Sequence, residues 1–150
     1  MRQEICGTKV SKSAVAPLLK PAGEVDEYNR IDRESEVSAP CDVTVDKQSV
    51  LEIKFFWHSG KMDPLSVAKD GKSSIYSLQS PRRINLADGA VIGNDGAIAT
   101  IACKTKGGDH FTLALKTTRN IEGGEQRNAI ETFMRSYMPA TVKTLGCDPA

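Results

Sequence analysis

A chain of 150 residues, 39% of them hydrophobic, is long enough to bury the core of one domain. A net charge of +1 and a pI near 7.6 argue against a general nucleic-acid binder, whose footprint is a strong basic excess. No apolar run approaches the roughly 18 residues that a membrane-spanning helix needs.

In chain order, Met1–Ile5 contains no apolar leader and no small-residue cleavage site, so any export signal is expected to be missing from this sequence. Val10–Leu19 reads as a short first helix, capped by Ser11 or Ser13, with Pro17 near its first turn and Pro21 and Gly23 ending it. Glu24–Glu36 is rich in acidic residues and lacks periodicity, which predicts a solvated connection; an acidic docking surface anchored by Tyr28 and Ile31 is the alternative. Cys41–Val45 alternates as a strand, and Asp46–Ser49 turns the chain into a second strand, Val50–His58. Leu51, Ile53, Phe55 and Trp57 are expected on one face of that strand and Val50, Glu52, Lys54, Phe56 and His58 on the other. Ser59–Ser80 is weakly patterned: Asp63-Pro64 opens a helical turn through Ala68, and Ser74–Gln79 is a candidate edge strand. Ile84–Leu86 and Ala90–Ile92 are short extended segments. Ala97–Thr117 is a hairpin that turns at Gly107-Gly108-Asp109. Glu125–Leu145 forms an amphipathic helix, with Ala129, Ile130, Phe133, Tyr137, Thr141 and Leu145 on one stripe, a kink or break expected at Pro139, and Gly146 at its end.

These elements predict an α+β fold: an antiparallel sheet of about four to six strands, a short N-terminal helix, and a long C-terminal helix packed on one face, stapled by two disulfides. Residues 1–5 precede the domain, 6–147 form it, and 148–150 are a tail. The four cysteines, Cys6, Cys41, Cys103 and Cys147, include no CxxC pair, which disfavours a zinc knuckle or a dithiol redox site. Their even number suits the disulfides of a secreted or cell-envelope protein; buried reduced thiols in a cytosolic one are the alternative. The favoured connectivity is nested, Cys6–Cys147 and Cys41–Cys103, joining terminus to terminus and strand to strand. Lipidation at Cys6 is disfavoured, because Gln3-Glu4-Ile5 lacks small residues and three cysteines would be left unpaired.

Candidates for chemistry are few. With only two histidines, His58 and His110, a metal site would need both strand ends to meet near Asp63 or Asp109. No motif for a phosphate loop, dinucleotide site, zinc protease or calcium loop is present, and no cofactor is implied. The possible binding surface is aromatic and basic: Phe56, His58, Arg82 and Arg83, with Lys104, Lys106 and Lys116 extending a basic edge.

Cys6-Gly7, the helix ending Ala16-Pro17-Leu18-Leu19, Cys41 opening a strand, Cys103 before a hairpin, Phe133–Pro139 and the closing Leu145-Gly146-Cys147 together resemble the small exported or lipoprotein-type domains of actinomycetes. The resemblance implies an extracytoplasmic α+β domain and carries over no active-site residue. The expected function is non-enzymatic: binding of a protein or small-molecule ligand through the sheet face or loops. The alternatives are a secreted protease inhibitor presenting Ser59–Ser80 or Gly89–Gly96, and, last, a metal-dependent enzyme.

Overall fold

The computed structural model describes residues 4–19, 23–29, 40–70, 78–105, 108–117 and 124–147. In chain order its elements are β1 (Glu4–Ile5), β2 (Thr8–Lys9), α1 (Lys12–Val15, continued by a 3-10 turn, Ala16–Leu18), β3 (Val25–Asn29), β4 (Cys41–Val45), β5 (Gln48–His58), α2 (Pro64–Asp70), β6 (Arg82–Ile84), β7 (Gly89–Ile92), β8 (Gly96–Thr105), β9 (Gly108–Thr117) and α3 (Gly124–Thr144). The expectations placed on Ile31, Ser74–Ser77, Lys106 and Gly107 lie outside the described residues.

β1 and β2 form a small hairpin, and the other strands form one antiparallel sheet in the order β3-β4-β5-β9-β8-β7-β6. Among the described residues the sheet therefore has seven strands, more than the four to six expected. It consists of two meanders, β3-β4-β5 and β6-β7-β8-β9, zipped together by the long β5–β9 ladder from Leu51↔Thr117 to His58↔His110. One added strand is β3, which falls in the acidic segment read as a solvated connection. Its five backbone pairs with β4 run from Val25↔Val45 to Asn29↔Cys41, and its charged side chains suit an edge strand, where they discourage pairing with another chain.

Alternation sorts the side chains into layers. Leu51, Ile53, Phe55 and Trp57 of β5 join Phe111, Leu113 and Leu115 of β9 beneath α3, which contributes Ile130, Phe133, Met134, Tyr137 and Met138. Phe55 and Phe111 meet edge to face at 5.2 Å, and Phe133 stacks on Tyr137 at 4.8 Å. Val50, expected on the opposite face, is 2% exposed and belongs to this same core. The reason is a bulge: Val43 pairs with Leu51 while Thr44 pairs with Ser49, so Val50 is the extra residue and the alternation slips there. A second, smaller cluster (Ala68, Leu78, Val91, Ile98 and Ala114) lies on the other face of the sheet under α2.

At the N-terminus, one expected helix is instead a single α-turn followed by a 3-10 turn. α3 runs through Pro139 without a break. It also fixes the β1–β2 hairpin: Tyr137 donates its hydroxyl to the Ile5 carbonyl at 2.8 Å, and Thr141 bonds Thr8 at 2.9 Å.

The disulfides are Cys6–Cys41 and Cys103–Cys147, which overturns the nested pairing. The strand order explains why. β4 and β8 stand three positions apart, roughly 14 Å, whereas disulfide-bonded Cα atoms lie within about 7 Å. Cys6 instead sits in the β1–β2 turn, docked at β4, and Cys147 follows α3 onto β8.

Candidate functional site

After β5, the chain must reach the far edge of the sheet to begin β6. It does so on the face opposite α3, through residues 59–63 and then α2, which packs on β7 and β8. Residues 59–63 form a strap over that face, held at both ends. At its start, the His58 Nδ1–H donates to the Gly60 carbonyl at 3.0 Å, and the Gly60 N–H donates to Asp109 Oδ1 at 2.9 Å. Gly60 has φ +84°, a conformation that favours glycine. At its far end, Arg83 grips Asp63 with two bonds, 2.7 and 3.0 Å. That fork holds the Asp63 carboxyl at about 2, with the Ser66 hydroxyl adding to the effect.

Between strap and sheet lies a cavity of about 410 Å³ lined by Lys61, Met62, Asp88, Thr100 and His110. Lys61 and Met62 come from the strap, Asp88 from the β6–β7 turn, and Thr100 and His110 from β8 and β9. Asp88 Oδ2 accepts the Ala102 N–H, which fixes its carboxylate beside the sheet.

His110 and His58 are a cross-strand pair, stacked at 5.8 Å between ring centroids. His110 Nδ1 is 2.7 Å from Asp109 Oδ1, and hydrogen bonds from His110 and from the Gly60 N–H keep the Asp109 carboxyl below its ordinary value. Behind the cavity wall runs a hydroxyl relay. His58 Nε2 is 2.7 Å from Thr112 Oγ1, which lies 3.1 Å from Thr100 Oγ1, and the Thr100 hydroxyl donates to the Phe111 carbonyl at 3.2 Å. Each carbonyl can only accept, so Gly60 takes the Nδ1 proton and Phe111 takes the Thr100 proton. The Thr112 hydroxyl then has one proton for two neighbours. With neutral His58 it must go to Nε2; only the imidazolium supplies every contact with a proton. Burial of the ring nonetheless outweighs the help of the Gly60 carbonyl, and it holds His58 below the ordinary histidine value.

The four residues read from the sequence as a binding surface come from two strands, β5 and β6. Phe56 and His58 share a face of β5, but Arg82 and Arg83 lie on β6, four strand positions away, roughly 19 Å. Phe56 packs against the cluster under α2 and carries Lys54 Nζ 4.7 Å above its ring. His58 and Arg83 act at the two ends of the strap. Lys116 is paired with the buried Asp95 at 2.8 Å. Half of Gly89–Gly96 is β7, and its Asn94 side chain accepts from Arg127 of α3.

The histidines do meet, yet Asp63 is held by Arg83, and Asp109 by His110 and Gly60. Among the described residues, the one group of three metal-type ligands that converge is Cys6, Glu27 and Cys41, and both of its sulfurs are joined in a disulfide. Lys61, Met62, Asp88 and Thr100 were missed by the sequence reading, because the strap's path depends on where β6 starts. The Asp63-Pro64 helix start was its one legible sign.

Comparison with protein-family models, with curated proteins and with solved structures found no match to this chain.

Proposed function

We propose that this chain is an extracytoplasmic, non-enzymatic binding domain that takes a small polar ligand in the cavity beneath the 59–63 strap. The observation that carries this reading is the cavity itself: a concavity of about 410 Å³ that combines an apolar side chain, Met62, with the polar groups of Lys61, Asp88, Thr100 and His110. Pockets for small ligands have that size and that mixture. The two disulfides are compatible with an oxidising compartment.

The test is a screen of a chemically diverse fragment library against the ¹⁵N-labelled protein, followed amide by amide. The proposal expects hits to cluster on Lys61, Met62, Asp88, Thr100 and His110. Hits confined to the β3 edge or to the outer face of α3 would sink it.

A further inference from the structure

The polar groups of the cavity are of two kinds and come from different segments. The strap side offers the Lys61 ammonium. The sheet side offers the Asp88 carboxylate, held in place by the Ala102 N–H, and His110. His110 is only 15% exposed at its side chain, and its Nδ1 faces Asp109 Oδ1 at 2.7 Å. A carboxylate only accepts, so the neutral ring keeps its proton on Nδ1 and is left with a lone pair on Nε2. Nε2 is therefore the nitrogen that can meet a ligand, and it meets it as an acceptor. Thr100, 6% exposed, adds an oxygen whose own proton goes to the Phe111 carbonyl, so toward a ligand it also accepts.

An anion alone would set like charge against Asp88, and a cation alone would set like charge against Lys61. A ligand carrying both charges satisfies both. Resting on the binding reading above, we propose that the cavity is a site for a small zwitterion, an α-amino carboxylate with an apolar side chain. Its carboxylate pairs with Lys61, its ammonium donates to Asp88, to His110 Nε2 and to Thr100 Oγ1, and its side chain lies against Met62.

The arrangement fixes a sign for the effect of pH. Protonating His110 turns its acceptor into a donor and sets a positive charge beside the ligand's ammonium, so acid weakens binding. The other charged or titratable groups around that ring are His58 stacked on it from β5, Asp109 beside it on β9, Lys61 on the strap and Asp88 in the β6–β7 turn.

The experiment uses three probes on the ¹⁵N-labelled protein: L-leucine, 4-methylpentanoate (which lacks the ammonium) and isoamylamine (which lacks the carboxylate). Leucine is expected to shift the Lys61, Met62, Asp88, Thr100 and His110 amides and to bind about tenfold more tightly than either single-charge probe. Asp88→Asn and Lys61→Ala, each with an otherwise unchanged amide spectrum, should each weaken leucine about tenfold. Asp88→Asn should leave 4-methylpentanoate no weaker, and Lys61→Ala should leave isoamylamine no weaker. Taking the pH from about 8 to about 5 should weaken leucine in the parent chain and much less in His110→Gln. 4-Methylpentanoate binding as tightly as leucine at these amides would overturn the zwitterion while leaving a binding cavity. If no probe moves these amides, the zwitterion is overturned and the fragment screen alone decides the binding reading.

Discussion

His58 connects the strap to the hydroxyl relay, and its environment gives a pH dependence of definite sign. Burial lowers its folded value below that of the unfolded chain, so the unfolded state takes up the proton first. Stability from this residue is complete above the ordinary histidine range and falls as the pH drops through and below it. Denaturant midpoints measured from pH 7 downward should therefore decline, and His58→Gln should flatten the part of the decline that lies nearest the histidine range. A slope that His58→Gln leaves unchanged would show that the relay plays no part. Asp63 behaves in the opposite region. Its carboxyl is held at about 2 by Arg83, so the far clamp of the strap is intact above the ordinary carboxylate range and is released only as the pH falls toward about 2. The pair is exposed, so its loss should appear in the strap amides rather than in global stability. Asp63→Asn should reproduce that local change at neutral pH, shifting the Lys61 and Met62 amides and leaving the denaturation midpoint nearly unmoved.

Among the elements, α3 carries an internal test. Pro139 lies inside the helix on its exposed side, where it supplies no N–H to the Arg135 carbonyl and its ring crowds that carbonyl. The helix persists because Ile130, Phe133, Met134, Tyr137 and Met138 bury a continuous stripe against the sheet, and that packing outweighs one interrupted bond. Pro139→Ala should raise stability by about 1–3 kcal/mol, read as a higher denaturant midpoint with an unchanged slope. The same balance explains what could be read from the sequence. β5, β9 and α3 were legible because a buried face imposes period 2 or period 3.6 on their residues. β3 was not, because an edge strand with Asp26, Glu27 and Tyr28 owes its structure to backbone pairing with β4, which leaves little pattern in the side chains. Val50 was assigned to the wrong face because a bulge breaks the period without leaving a glycine or proline as a sign. Of the candidate site, His58 and Arg83 were found, although as a surface rather than as the ends of a strap. The cavity itself depends on a long crossing between two meanders, and no local signal encodes that.

For the whole molecule, the two disulfides fasten the two halves of the sheet to the layer above it. Cys6–Cys41 ties the N-terminal hairpin to the β3-β4-β5 meander, and Cys103–Cys147 ties the end of α3 to the other meander. They close stretches of 35 and 44 residues, so the chain-entropy account assigns each about 4 kcal/mol. Peptide mapping without reduction should recover fragments joining Cys6 to Cys41 and Cys103 to Cys147, and a Cys41–Cys103 fragment would contradict the strand order itself. The two bridges should nevertheless be unequal for the site. Cys103 follows Thr100 and Ala102 on β8, the strand that supplies the cavity floor and the N–H that holds Asp88. Cys6 and Cys41 lie on the far side of β5 from that floor, in the sheet order β4-β5-β9-β8. The double variant Cys6→Ser/Cys41→Ser should thus lose stability while keeping the Asp88, Thr100 and His110 amides in place. Cys103→Ser/Cys147→Ser should lose a similar amount and shift all three. Equal disturbance of those amides by both variants would mean that the sheet transmits strain across its whole width, and that the cavity is not a property of the β7-β8-β9 end alone.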